Sequence, residues 1–229
     1  GTSIVDVTDP ENPRYIYHLP GTDGDGDGES EAQMVRTCSG SDLPSGVNGS
    51  YYLLRAVGRY GHELWDVTTP EEPVLLSSME EDTGLVDTHK NWWECDTGIA
   101  YLVSGVEGWA TRRMTQVYDL SDPTNPRFIR NFGLPGQQPG APNHEEMSKH
   151  DLHGPIAVGN RIYFGYGTFL DGVIQIIDRE KLLRGNPAVE DPFEPTDENL
   201  EYPVISTMFT GPRLGAHTAF PVLGIDVDE

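Results

Sequence analysis

Short runs of alternating apolar and polar residues, each ending in an aspartate, recur along this chain. Runs beginning at Ser3, Glu63 and Gln116 read SIVDVTDPENPRYI, ELWDVTTPEEPVLL and QVYDLSDPTNPRFI, and a weaker copy, VIQIIDREKLL, begins at Val173. The alternation predicts a strand, and the double-proline turn must end it, because proline has no N–H to donate to a sheet. We therefore predict a strand–turn–strand unit whose aspartate accepts hydrogen bonds from the backbone of the turn.

Each full copy is flanked by further strand-like runs, so that four strands recur roughly every 55–60 residues. The aligned aspartates Asp6, Asp66, Asp119 and Asp178 follow one another at nearly even intervals. The flanking runs are YYLLRAVG, IAYLVSGV and RIYFGYGT, preceded by Met34–Cys38, Trp92–Cys95 and Gly154–Val158, with outer strands such as Pro73–Ser77 and Arg127–Asn131 after the turn.

Four antiparallel strands in each repeat predict an all-β fold, a β-propeller of four-stranded blades. We expect only short helices, at Arg179–Leu183 and near His144–Lys149. Because propellers usually close with four to eight blades, we expect an interior piece of a longer protein, seven-bladed when complete. An open array of sheets is the alternative, although it would leave sheet edges exposed. The predicted single domain, 1–229, divides into the end of one blade (1–30), three complete blades (31–84, 85–147 and 148–212) and the start of another (213–229).

The same strings carry a family resemblance. With Gly98–Val103 and Gly159–Phe164 ahead of the Asp-x-x-x-Pro-x-x-Pro strings, nearly the whole chain resembles the LVIVD-repeat family of β-propellers. The resemblance implies the propeller fold and says little about activity. At the level of fold the chain is also distantly similar to the copper-binding methanethiol oxidases of the selenium-binding-protein family, and to carotenoid cleavage oxygenases, which hold iron with four axial histidines. Its local motifs match neither group closely, so this similarity is an analogy of fold.

Three histidines are evenly spaced along the chain, at His89, His153 and His217, and each precedes a predicted inner strand. In a propeller those strands line the axis, and imidazole is a common ligand of copper, zinc and iron. We therefore predict a transition-metal site formed by His89, His150, His153 and His217, with copper first and iron or zinc as alternatives. His150 joins only if it lies in the loop, because residues three apart on a strand face opposite sides. A polar, water-lined channel mouth is the competing interpretation.

One blade lacks a histidine at this place and carries Arg36 instead. An arginine at a channel mouth is suited to an anionic substrate, and an ordinary salt bridge between blades is the alternative. Trp92 and Trp93 are interpreted mainly as packing residues. His18 and His62 are expected at outer-strand positions, in surface or packing roles.

A second cation site is suggested by the acidic loop TDGDGDGESE. Asp23, Asp25 and Asp27 reproduce the start of a calcium-binding loop, in which alternate carboxylates converge on the ion. Met34 stands where an EF-hand has its bidentate glutamate, and Glu31 is the candidate substitute. A solvated, flexible acidic loop is an equal alternative.

Net charge and cysteine content indicate which partners and which cellular location to expect. The net charge of −22 argues against nucleic acid or an anionic membrane surface as partner, and no apolar run approaches the roughly 18 residues of a membrane helix. Cys38 and Cys95 occupy equivalent places in successive repeats and are either separate thiols or a bridge between blades. We expect an extracellular, cell-surface or periplasmic location, with any export signal upstream of this sequence.

Two functions are compatible with these features. The first is an exported propeller that binds copper and a small-molecule substrate and, if it is an enzyme, acts as a metal-dependent oxidoreductase. The second is a non-catalytic platform for protein partners, in which calcium is a structural ion. Whether the protein is an enzyme stays open at this point.

Overall fold

The computed structural model describes residues 1–21, 32–58, 61–79, 85–142, 144–167 and 171–224. Strands dominate this part of the chain, as the sequence predicts. The strands are β1 (Thr2–Asp6), β2 (Arg14–Leu19), β3 (Val35–Ser39), β4 (Tyr51–Val57), β5 (Gly61–Asp66), β6 (Val74–Met79), β7 (Leu85–Val86), β8 (Asn91–Trp93), β9 (Ile99–Val106), β10 (Met114–Asp119), β11 (Arg127–Phe132), β12 (Leu152–Val158), β13 (Arg161–Tyr166), β14 (Val173–Asp178) and β15 (Val204–Phe209).

The helices are short. They are α1 (His144–Met147), α2 (Arg179–Arg184) and α3 (Asp197–Glu201). The first two lie where the sequence predicts them, and α3 is additional. The side chain of Thr196 caps α3 by accepting a hydrogen bond from the backbone N–H of Asn199 at 3.2 Å.

The strands form antiparallel sheets in chain order, which confirms the all-β prediction. The first sheet has the order β3-β4-β5-β6 and the third has the order β12-β13-β14-β15. In the second sheet the order is β11-β10-β9. Both β7 and β8 pair with the edge of β9 that faces away from β10, which we call the inner edge. The hairpin β1–β2 precedes the first sheet.

The repeated aspartates hold the turns, as predicted. A backbone N–H two residues further on donates to Oδ1 of Asp6 at 2.9 Å, of Asp66 at 2.8 Å and of Asp119 at 2.9 Å. In the fourth copy Asp178 instead caps α2, accepting from the backbone N–H of Lys181 at 3.1 Å. This explains why the double-proline turn is missing there, because the chain leaves the sheet through a helix.

The core lies between stacked sheets, and β9 is buried on both faces. Tyr101 and Val103 pack toward the third sheet, whereas Ala100 and Leu102 pack toward the first. This follows from the alternation of side chains along a strand. At the inner edge, β8 contacts β3 of the first sheet and β12 of the third.

A disulfide between Cys38 and Cys95 crosses from the first sheet to the second, with the Cα atoms 5.4 Å apart. Of the two alternatives that the sequence leaves open, the structure therefore has the bridge. It joins the end of β3 to the residues after β8, beside the inner edge.

Candidate functional site

The structure brings three of the four predicted histidines together at the inner edge of the sheets. The ring centroids of His89 and His153 are 4.9 Å apart, in an edge-to-face arrangement. The ring centroids of His153 and His217 are 3.3 Å apart, with the ring planes inclined by 33°. Three side chains from widely separated parts of the sequence thus form one cluster, which we call the histidine cluster.

Local backbone features position each ring. The N–H of His89 donates to the Val103 carbonyl at 2.9 Å, which fixes the residue against β9. His153 lies at a break in register between β12 and β13, where one extra residue changes the direction of a strand. The backbone of His217 passes so close to Gly165 that an added Cβ would lie 3.2 Å from the His217 carbonyl oxygen.

Two aspartates, Asp87 and Asp151, each lie two residues before a histidine of the cluster. Arg112 joins them: its Nε lies 2.9 Å from Oδ2 of Asp87 and 3.2 Å from Oδ2 of Asp151. These residues were not among those predicted from the sequence. The signal was present, since the pattern Asp-x-His occurs at Asp87–His89 and again at Asp151–His153.

The electrostatics of the cluster keep two of its rings neutral at neutral pH. Burial lowers the pKa of His89 to about 3, and the positive charges of Arg113 and Lys90 contribute. Burial, followed by the neighbouring His217, lowers the pKa of His153 to about 4. Neutral imidazole is the form that binds metals.

His150 does not share in the ring contacts. Its carbonyl accepts a hydrogen bond from Gln137 Nε2 at 2.9 Å, and its side chain is half-buried. The buried Nδ1 has no hydrogen-bond partner within the described residues. Its predicted role as a fourth ligand stays a prediction.

Other buried polar atoms near the cluster lack partners in the described part of the chain. They include Nδ1 of His89 and both side-chain polar atoms of Asn91. Both ring nitrogens of His62 also lack a well-formed hydrogen bond, although the Lys90 carbonyl lies close enough to oppose the effect of burial on the pKa. His62 is completely buried on β5, the third strand of its sheet, so its predicted outer-strand position was wrong and its packing role is confirmed.

Two basic side chains cross between the first and second sheets. The guanidinium of Arg36 lies 4.5 Å from the ring centroid of Trp92, and its Nε is 3.5 Å from the Asn91 carbonyl oxygen. Lys90 Nζ donates to the Gln33 carbonyl at 3.2 Å. Among the described residues, neither side chain forms a salt bridge with an acid.

The two tryptophans pack on opposite sides of β8. Trp93 is buried in the core toward the first sheet, and Trp92 packs toward the third. The packing role is therefore confirmed for both. The ring of Trp92 also lies beneath the guanidinium of Arg36.

The predicted calcium ligands, Asp23, Asp25, Asp27 and Glu31, lie outside the described residues. The calcium site therefore stays a prediction from sequence.

The histidine cluster has suitable donors for a metal but not the geometry of a formed site. No group of three or more histidine, cysteine or acidic side chains in the described ranges is arranged to hold an ion. Nδ1 of His153 and Nδ1 of His217 both lie near the hydroxyl of Thr218, at 3.4 and 3.2 Å, so a side-chain oxygen already occupies the point that these two nitrogens face. Metal binding at this point would require the Thr218 hydroxyl to move away.

No protein-family profile matches the chain, and neither does any curated protein. Among the described residues, none of the helices combines the length and apolar character needed to cross a membrane.

Proposed function

We propose that the chain is part of an LVIVD-type β-propeller that binds a transition metal, copper first, through His89, His153 and His217. The observation that carries this proposal is the meeting of three imidazoles from widely separated parts of the sequence. Residues so far apart in sequence have no local reason to converge.

The propeller assignment is supported by how the sheets follow one another. The first and third sheets each have four antiparallel strands, and the second has β7 and β8 together beside β9, β10 and β11. The sheets stack through β9, and β8 touches β3 and β12. Sheets arranged radially about an axis have this pattern of inner-edge contacts.

The metal assignment is supported by a buried ring nitrogen that is available as a metal ligand. Nδ1 of His89 is buried without a partner in the described residues, a condition that costs free energy unless a ligand or water satisfies it. His217 is exposed and lies outside any strand, so its ring can turn at little cost. Its contact with Thr218 Oγ1, at 3.2 Å, is worth only about 1 kcal/mol.

In the bound state these imidazoles would hold the ion, while Arg112 would join Asp87 and Asp151 in the segments that lead to His89 and His153. A bound metal supplies a Lewis-acid or redox centre. The Cys38–Cys95 disulfide supports an exported location, because structural disulfides persist in oxidising compartments.

Calorimetric titration of the metal-free protein with Cu(II) and Zn(II) tests the proposal. We expect one ion per chain, and we expect His89→Ala/His153→Ala to abolish binding with the fold retained. His18→Ala, an exposed histidine on β2, is the matched control and should bind as the wild type does. Wild-type protein that binds neither ion, or a double variant that binds normally, contradicts the proposal.

The pH dependence provides a second measurement. A free imidazole loses metal to protons below pH about 6.5, but the pKa values of His89 and His153 are about 3 and 4. Their protonation therefore does not compete strongly until the pH falls well below 6. We expect binding through these two rings to persist at pH about 5.5, and complete release near pH 6.5 would count against them as ligands.

A further inference from the structure

Lys90 and Arg36 reach across the inner edge from neighbouring sheets toward neutral groups. Lys90 precedes β8, and its ammonium group meets the Gln33 carbonyl just before β3. Arg36 on β3 makes the reverse crossing, with its guanidinium over the ring of Trp92 on β8. The stem of Lys90 lies against Gly154, where an added Cβ would be 3.1 Å from Lys90 Cβ. Lys90 therefore lies beside the histidine cluster, since Gly154 follows His153.

Neither cation has an acidic partner among the described residues, although acidic side chains outnumber basic ones by 37 to 15 in the whole chain. Both are half-buried. Burial lowers the pKa of Arg36. Arg113, by contrast, pairs with Asp87 at 3.0 Å. Partly desolvated cations that meet only carbonyl and aromatic groups gain free energy when an anion binds.

The strand that carries Trp92 also has a buried amide without partners in the described part of the chain. The amide of Asn91 is only 1% exposed, and neither Nδ2 nor Oδ1 has a hydrogen-bond partner within the described residues. Buried polar side chains without partners are rare, and water or a ligand commonly satisfies them. Asn91 stands between Lys90 and Trp92 in sequence, and its carbonyl is the group that Arg36 approaches.

We propose that a small oxyanion, a carboxylate, sulfate or phosphate group, binds between Lys90 and Arg36 beside the histidine cluster. The inference extends the proposed function by naming the ligand class of that site, and it rests on the inner edge being the binding mouth. Arg36 offers a planar fork of donors and Lys90 a point charge, and the two together select for charge and for oxygen geometry. In a metal-loaded protein this anion would lie beside the ion.

Calorimetry with sulfate on metal-free protein tests the anion site directly, at constant ionic strength with chloride as the balancing anion. We expect sulfate to bind the wild type at millimolar concentration, and Lys90→Gln and Arg36→Gln each to weaken binding by about tenfold or more. Lys181→Gln, the same change on the exposed face of α2, should leave sulfate binding unaltered. Circular dichroism and thermal melting confirm that each variant is folded.

The outcomes separate this inference from the metal proposal. Absence of sulfate binding by the wild type, or equal binding by Lys90→Gln and Lys181→Gln, overturns the anion site whatever the metal titration shows. Without added anion, Lys90→Gln should bind Cu(II) about threefold more tightly, because a repelling charge near the rings is gone. Unchanged or weaker Cu(II) binding by that variant would contradict the placement of Lys90 beside the cluster. Sulfate binding that survives in His89→Ala/His153→Ala, when Cu(II) binding is lost, supports separate ligand groups for the two ions.

Discussion

His62 makes the stability of this protein depend on pH in a way that one substitution can isolate. Its side chain is completely buried on β5, between Ala56 on β4 and Met79 on β6 in the pairing of the sheet. Neither ring nitrogen has a well-formed hydrogen bond within the described residues. Burial lowers the pKa of His62 from 6.5 to about 4, and the nearby Lys90 carbonyl offsets this only in part.

The size and sign of the effect follow from that pKa. Below pH 6.5 the unfolded chain binds a proton at this histidine that the folded protein does not, so the free energy of unfolding falls as the pH drops toward 4. Each unit of pKa shift corresponds to about 1.4 kcal/mol. His62 alone therefore removes about 3 kcal/mol of stability between pH 7 and pH 4. This contribution is flat above pH about 7 and below pH about 3.5.

His62→Leu should abolish this contribution. Leucine has a similar size and no polar atoms, and the change removes two unpaired buried nitrogens, each of which costs about 1–3 kcal/mol. The free energy of unfolding at pH 7 should therefore stay equal or rise, and the loss on acidification should shrink by about 3 kcal/mol. Urea denaturation at steps from pH 7 to pH 4, with protein free of metal, measures both quantities.

The difference in acid-dependent stability between the wild type and His62→Leu reports on His62 alone. His89 and His153 also have lowered pKa values and remain in both, so their share of the acid dependence cancels. The matched control is His18→Leu on exposed β2, which should keep the wild-type slope. A variant that loses more than about 2 kcal/mol at pH 7 while keeping the full acid dependence would refute the reasoning, because His62 would then have a partner worth more than its burial costs.

Three further predictions concern the links between sheets. The double variant Cys38→Ser/Cys95→Ser should lose about 4 kcal/mol of stability, because the bridge closes a separation of 57 residues; a melting midpoint equal to that of the oxidised wild type would contradict this. Glu63→Gln should cost about 3–5 kcal/mol in urea denaturation, since it leaves the buried guanidinium of Arg55 without the carboxylate that lies 2.7 Å away; a loss below about 1 kcal/mol would be inconsistent with a buried pair. Arg112→Gln should change stability by less than about 1 kcal/mol, because the Arg112 side chain is 58% exposed. The same variant should bind Cu(II) about tenfold more weakly, and a wild-type Cu(II) affinity would contradict a positioning role for Arg112.

The sequence by itself determined the strands and the turns. The strand predicted at IAYLVSGV is observed over the same residues, Ile99–Val106, and the turn aspartates accept the backbone hydrogen bonds expected of them. These features depend on interactions between residues close in the chain, such as side-chain alternation and the missing N–H of proline. The even spacing of His89, His153 and His217 led to the prediction that they converge, and their rings are in contact.

Only the tertiary structure decided which distant residues meet. The sequence left the pairing of Cys38 with Cys95 open, and it did not reveal the orphaned ring of His62 or the crossing of Lys90 with Arg36. Each depends on how one sheet stacks against the next, which is set by the whole packed core and leaves no periodic signal at the residues concerned. The arrangement of the histidine rings belongs to the same class, since repeat spacing predicts that they converge but not the direction in which each ring points.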